Sequence, residues 1–405
     1  MDPLALVLYG LCYLGLALGG IPGTRVGRTG VMLLGAAAFL ATGLVSPLEA
    51  LRSVHGPTMA VLLGMMLVSA QYEVSGLYAA IGLRLARASS PRRLLLGIVV
   101  VAAGLSAVLT NDVVCVALTA LLGRSLLRGG RDPLPFLLAL SCATNIGSAA
   151  TPIGNPQNVL IAQTWEIPFE RFLVVCALPV VVSLGLLYAF LAPRVARLPA
   201  TPPPPAPPED GPIPPLDRRL AWVAVLLTAA AIALFLSPVP AYATALGVGG
   251  AALLASPRRA PRAVALVDWR LLLLFVGLFV VGEGFELSGW PARAAEGLRA
   301  SGIDFASPAL LIPATALLSN VVSNVPAVMI VLPLLTPDPE TGAAVALAST
   351  FAGNALLVGS IANLIVAEQA ARVGIRFGFR EHLRVGLPVT VASLLVAGAS
   401  LFLFW

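Results

Sequence analysis

The sequence predicts an all-α polytopic membrane protein made of two inverted repeats, each with five spans plus a re-entrant hairpin and a broken helix. Three observations carry that expectation. The 405-residue chain is 58% hydrophobic and 11% charged, with a mean hydropathy of +0.94, whereas soluble domains carry about 25% charged residues. Apolar runs recur from end to end, and a span needs about 20 such residues. The second half also overlays the first at an offset of 213 residues.

Taken in order, residues 1–20 are apolar, with Asp2 where a signal peptide would carry basic charge, so they read as a first span. All 25 basic residues are Arg, and they lie between apolar runs. With Arg25 and Arg28 in the cytoplasm, only Arg52, Arg171, Arg293 and Arg299 fall on the other side. The expectation is a multi-pass protein of the cell (inner) membrane with both termini non-cytoplasmic. The net charge of +6 forms no basic face, so nucleic acid is not an expected partner. Residues 199–215, PATPPPPAPPEDGPIPP, predict an extended, semi-rigid cytoplasmic linker. The domains are then a first repeat over 1–198, a linker over 199–219 and a second repeat over 220–405.

The self-similarity is specific. GMMLVSAQYEVSG at 64–76 meets GLFVVGEGFELSG at 277–289, pairing Gly64, Glu73, Ser75 and Gly76 with Gly277, Glu286, Ser288 and Gly289. GLSAVLTNDVV at 104–114 meets LLSNVVSNVPA at 317–327, pairing Ser106 and Asn111 with Ser319 and Asn324. TNIGSAATPIGNPQN at 144–158 resembles GNALLVGSIAN at 353–363 once four residues are skipped, pairing Asn145 with Asn354, Gly154 with Gly359 and Asn158 with Asn363. An odd number of spans per half makes the second half enter from the opposite side. Inverted repeats of this kind place a site at their interface near the midplane.

Within each half the chemistry sits where an apolar span is interrupted. Unpaired backbone in hydrocarbon costs several kcal/mol per group, so irregular backbone survives only where protein buries it or where it lines a cavity. Pro152 and Pro156 remove donors, so the 134–163 run should split into two half-helices, and 343–370 likewise. Free helix ends then face inward: N–H dipoles suit an anion, and carbonyls suit a cation. Asn and Thr side chains complete the shell, with Thr110, Asn145, Thr151, Asn155, Asn158, Ser323, Asn354, Ser360 and Asn363 as candidate substrate contacts. The hairpins, 93–127 and 306–335, carry Ser five residues before Asn at their tips: Ser106 with Asn111, and Ser319 with Asn324. A tight turn lets these oxygens converge on one cation, and hard oxygen ligands suit sodium. Asp112, an acid at membrane depth opposite Val325, is a candidate proton relay or cation ligand, with helix capping as the plainer role. Glu73 and Glu286 precede amphipathic stretches and read as interfacial structural acids. Cys12, Cys115, Cys142 and Cys176 lack CxxC spacing and read as packing thiols, a metalloid site at Cys115 and Cys142 being the sharper alternative.

TND at the first tip, NIGSAATPIGNPQN at the broken helix and SNVPA at the second tip resemble the ion transporter superfamily, which includes arsenite efflux permeases and divalent anion:sodium symporters. The resemblance implies a scaffold domain and a mobile transport domain, often in a homodimer, working by an elevator motion. It also implies one cation site from Ser106 and Asn111 with backbone near Gly147 and Gly154, and its mirror from Ser319 and Asn324 with backbone near Gly353 and Gly359. The tips depart from the Ser-Asn-Thr of the dicarboxylate symporters. The function expected is secondary transport of a small anion or oxyanion coupled to sodium or protons. Arsenite or antimonite efflux, sodium/proton antiport and an ion channel are the rivals. No HExxH, GxSxG or Walker A motif supports an enzyme; no cofactor is expected beyond sodium ions.

Overall fold

The computed structural model describes residues 2–88, 90–198, 215–302 and 304–401, so most of the Pro-rich linker, 199–214, lies outside the described residues. The first half forms α1 (Pro3–Ala17), α2 (Arg28–Ala41), α3 (Pro47–Ser53), α4 (Gly56–Val74), α5 (Leu77–Ala86), α6 (Pro91–Val108), α7 (Asn111–Arg128), α8 (Leu134–Ser148), α9 (Pro156–Thr164) and α10 (Phe169–Ala196). The second half repeats the order with α11 (Arg218–Phe235), α12 (Ala241–Ala255), α13 (Ala260–Ala265), α14 (Trp269–Leu287), α15 (Trp290–Ala300), α16 (Pro308–Val322), α17 (Asn324–Val331), α18 (Pro339–Ala352), α19 (Ile361–Arg372) and α20 (Phe379–Leu401). Among the described residues four helices, α6, α10, α11 and α20, are each long and apolar enough to cross a membrane. Two bent pairs, α3 with α4 (51°) and α14 with the start of α15 (66°), bring the number to six.

Local chemistry sets the ends. Ser46 and Glu49 form a reciprocal capping box at α3 (3.2 and 2.8 Å), and Asp217, Asp268 and Asp338 cap α11, α14 and α18 at 3.2, 3.0 and 2.9 Å. Each such cap is worth about 1 kcal/mol. Gly76 and Gly289 end α4 and α14 with φ of 75° and 77°, a left-handed conformation that glycine adopts without a Cβ penalty. That bend turns the amphipathic α5 and α15 off the axes of the helices before them.

The halves are joined by exchange of partners: α4 packs on α12, and α14 packs on α2. A Cβ at Gly64 would lie 2.8 Å from the Leu246 nitrogen, and one at Gly249 2.9 Å from the Gly64 carbonyl. A Cβ at Gly277 would lie 2.8 Å from the Met32 backbone. Gly64 meets Ala245 and Gly277 meets Met32, and each residue stands 213 from its counterpart. Small residues let helix backbones touch where no hydrophobic force separates helix from lipid. Of the broken-helix elements, α9 packs against α4 of the first crossing.

Candidate substrate and cation site

The helix splits expected over 134–163 and 343–370 are present as unwound segments, 149–155 between α8 and α9 and 353–360 between α18 and α19. Both are held by the same device. Asn158, third residue of α9, donates from Nδ2 to the carbonyls of Ser148 (3.2 Å) and Thr151 (3.0 Å). Asn363, third residue of α19, donates to the carbonyls of Gly353 (2.7 Å) and Leu356 (3.1 Å). All three positions recur 205 residues on, without a gap. The pairing of Asn145 with Asn354 is thereby corrected: Asn145 stands opposite Thr350, and Asn354 opposite Ala149. Matching Asn to Asn forced the skip, whereas the backbone is registered by where it unwinds and which carbonyls are held. Gly154 and Gly359 lie under these staples. A Cβ at Gly154 would come 2.8 Å from the Ser106 carbonyl, and one at Gly359 2.7 Å from Asn320 Oδ1.

The two breaks also clasp each other. Asn155 caps α9, accepting from the Asn158 nitrogen at 2.9 Å, and donates from Nδ2 to Thr350 Oγ1 in the last turn of α18 at 3.2 Å. Ser360, its equivalent at the start of α19, donates to Asn145 Oδ1 in the last turn of α8 at 3.1 Å. Each restarting helix thus reaches the unwinding end of the other half. Asn145 is the hub. Its Oδ1 also accepts from Asn111 Nδ2 of the first tip (3.3 Å), and its Nδ2 donates to Asn354 Oδ1 (2.9 Å) and Asn363 Oδ1 (3.0 Å). Asn111, Asn145, Asn354, Ser360 and Asn363 are brought together and buried.

The tips differ. The first turns through Leu109 and Thr110, both extended; the second turns on Ser323 alone, with φ 78° and ψ 162°. That region belongs to glycine and costs another residue about 1–3 kcal/mol. Ser319 Oγ donates to Asn324 Oδ1 at 2.6 Å, with the Ser349 carbonyl at 3.0 Å. Ser106 Oγ, by contrast, has no partner, nor have Thr110 Oγ1 and Asn158 Oδ1, all buried. The equivalent of Asn158, Asn363, is satisfied at Oδ1 by Ser141 (2.7 Å) and Asn145. Near the second break the unpartnered atoms are Asn320 Oδ1 and His382 Nδ1. A buried unpaired polar atom costs about 1–3 kcal/mol; oxygen lone pairs left free are what a hard cation takes.

Two cavities reach the first tip and break, and a third lies beside α14. One of about 630 Å³ reaches Pro152 and Ile153 of the first break, with His55, Glu166 and Glu170 in its wall. One of about 310 Å³ reaches Thr110 and Pro156 from elsewhere, with Glu73, Asp112 and Asp268. The first break therefore has one cavity against its middle and another against the start of α9. A third, of about 530 Å³, holds His55, Glu283 and Glu286. Glu73 and Glu286 are thus cavity-wall acids as well as helix-end acids.

The remaining candidates fall as follows. Thr151 Oγ1 donates to the Ala107 carbonyl, tying the first break to α6. The carbonyl of Gly147 accepts from the Ala150 nitrogen (3.1 Å), and a Cβ there would meet the Ala103 carbonyl at 2.5 Å, so Gly147 serves the α6–α8 contact. Asn324 faces Ser319, and Gly353 carries the Asn363 staple. Cys115 Sγ lies 3.2 Å from Thr144 Oγ1, and among the described residues no three His, Cys, Asp or Glu side chains are grouped to hold a metal. Sequence reasoning missed Thr350, Gln157, which donates to Thr350 at 3.1 Å, and His382, whose Nε2 lies 2.9 Å from the Asn354 carbonyl. An ungapped comparison at offset 205 would have found Thr350; nothing in the sequence pointed to His382.

A nearly all-helical chain with apolar spanning helices and two clasped unwound segments has the build of a membrane transporter. A family model described as a citrate transporter matches residues 16–342, and the chain belongs to that family. Among its relatives is the silicon efflux transporter LSI3 of Oryza sativa subsp. japonica, 28% identical over 95% of this chain and 94% of that one. A transporter designated arsB in Dictyostelium discoideum is 24% identical over 92% of this chain and 86% of that one. The crystal structure of the Alcanivorax borkumensis YdaH transporter shares the fold, with a TM-score of 0.63, 16% identity and coverage of 99% of this chain and 98% of that one. The chain is a multi-pass membrane transporter of that family and not an enzyme.

Proposed function

We propose that this transporter moves a small oxyanion, or its undissociated oxyacid, across the cell (inner) membrane by secondary active transport, drawing on one sodium ion or proton bound at the first tip and break. The observation that carries the cation assignment is the set of three buried, unpartnered oxygens, Ser106 Oγ, Thr110 Oγ1 and Asn158 Oδ1, against satisfied or partly exposed equivalents in the second half. The substrate class is supported by the polar centre itself. It is built of amides and hydroxyls, with no Arg among its hydrogen-bonding partners. Bidentate Arg is a strong and common way to hold a multiply charged carboxylate, and a centre of amides and hydroxyls without it matches a hydroxyl-rich oxyacid of low charge. The silicon efflux named for one relative agrees with this class.

Movement would be alternating access, the hairpins and broken helices sliding as an elevator on the α4–α12 and α14–α2 crossings, with the scaffold of a homodimer as the fixed part. Purified chain in proteoliposomes tests this, with silicate, arsenite and citrate offered under a sodium or a pH gradient. Saturable, gradient-driven counterflow of silicate or arsenite is expected, with citrate at background. Citrate counterflow of equal size would overturn the substrate class, and non-saturating flux indifferent to the gradient would make the protein a channel.

A further inference from the structure

The cavity beside the first tip has a counterpart. Met66, Glu73, Val116, Ala117 and Asp268 in its wall correspond, 213 residues away, to Phe279, Glu286, Met329, Ile330 and His55, and all five of these line the Glu286 cavity. The same chamber is therefore built twice, each time from residues of both halves with their roles exchanged. Its charge is not repeated. The Glu73 cavity has three carboxylates, at the end of α4, the start of α7 and the cap of α14. In the other, Glu283 stands where the first has Ala70, His55 replaces Asp268, and Val325, the counterpart of Asp112, is not in the wall, so two carboxylates face a histidine.

None of the three carboxylates forms an ion pair with a described residue. Asp268 uses one oxygen to cap the Leu271 nitrogen (3.0 Å). Arg262 offsets part of the charge on Glu73; Arg259 is engaged with Asp217 (3.0 Å) and the Val74 carbonyl (2.7 Å). An independent feature points to a ligand: Thr110, in the wall of this cavity and 5% exposed, has a hydroxyl with no partner. The volume, about 310 Å³, holds a hydrated ion at about 30 Å³ per water.

We propose that the Glu73–Asp112–Asp268 cavity is an antechamber that binds a sodium-class monovalent cation on its way to or from the first tip, and that the repeat-related Glu286 cavity is not. The inference rests on the transport reading and adds the side from which the cation is exchanged: the face carrying Arg262 and Arg270, expected to be cytoplasmic. A cleft lined by one sign of charge raises the local concentration of counter-ions about 10-fold or more.

Sodium-22 binding to the purified full-length chain in detergent tests it, with choline as the inert cation. Glu73→Gln with Asp268→Asn removes two charges, and Asn keeps the cap of α14. The half-saturating sodium concentration is expected to rise about 10-fold in that variant, to stay unchanged in Glu286→Gln, and to be retained in Glu73→Asp, which also shows that the site still folds. An unmoved half-saturation in the double variant, an equal shift in Glu286→Gln, or no saturable sodium binding by the natural chain would each overturn the antechamber. Ser106→Ala separates the two readings. Binding that survives it but weakens in the double variant would refute the tip site and leave the cavity standing as the binding site.

Discussion

The first break and tip differ from the second far less in backbone than in what their side chains have left over. Asn158 and Asn363 staple the same two carbonyls of their own segments, and Asn155 and Ser360 each reach the partner helix end. Yet Ser319 spends its hydroxyl on Asn324 and Ser349, while Ser106 has nothing to bond. The second tip turns on a strained Ser323; the first turns on two relaxed residues. A duplicated frame thus carries two different sites. At the second, the Ser319 hydroxyl and Asn363 Oδ1 are taken up by neighbours, and the atoms left without a partner are Asn320 Oδ1 and His382 Nδ1 instead. The first leaves the oxygens of Ser106, Thr110 and Asn158 free, the feature on which the proposed cation site rests.

The comparison breaks most sharply at the hub. Asn145→Ala removes four buried partners and should abolish transport and cost about 3 kcal/mol or more. Its counterpart Thr350→Val should cost about 1–2 kcal/mol. Equal losses in thermal unfolding and counterflow would mean the halves share one site design. Next in size is the serine pair. Ser106→Ala should raise half-saturating sodium about tenfold while leaving stability in choline unchanged, or up to about 1 kcal/mol higher, because an unpaired hydroxyl is lost. Ser319→Ala should lose about 1 kcal/mol and leave the sodium dependence alone; the opposite pattern would transfer the cation to the second half.

A smaller effect sharpens the tips. Ser323→Gly should stabilise by about 1 kcal/mol, since the Cβ penalty disappears, whereas Thr110→Gly should destabilise by about 0.5–1 kcal/mol. Differential thermal unfolding reads both, and a destabilised Ser323→Gly would mean the hydroxyl matters more than the strain. The smallest effect expected is that of Cys115→Ser with Cys142→Ser, whose flux should match the natural chain for silicate and arsenite alike. A selective loss of arsenite flux would restore the thiol site.

Much of this was legible before the fold. Pro152 and Pro156 in an apolar run announce a split helix, and the split falls between Ser148 and Pro156. Gly64 and Gly277 pair as repeat equivalents in the sequence; that both lie at helix crossings came only from the structure. Asn111, Asn145 and Asn363 were named for the site and meet there. What stayed illegible depends on registration and satisfaction. The equivalence of Asn145 with Thr350 is invisible to identity matching, because an amide and a hydroxyl play the same part. The free Ser106 and the bonded Ser319 sit in near-identical motifs, and only the placement of Asn324 and Ser349 separates them. His382, 19 residues from Asn363 along the chain, reaches the second break by packing of the last helix.

The sequence by itself determined a helical membrane transporter with a duplicated order of elements, because apolar length, proline placement and helix caps act over a few residues. The tertiary structure decided which tip keeps its hydroxyls unpaired, which cavity collects more carboxylates and which helix ends clasp. Those outcomes depend on contacts between residues some 200 apart in the chain, where a fraction of a turn decides whether a hydroxyl finds a partner.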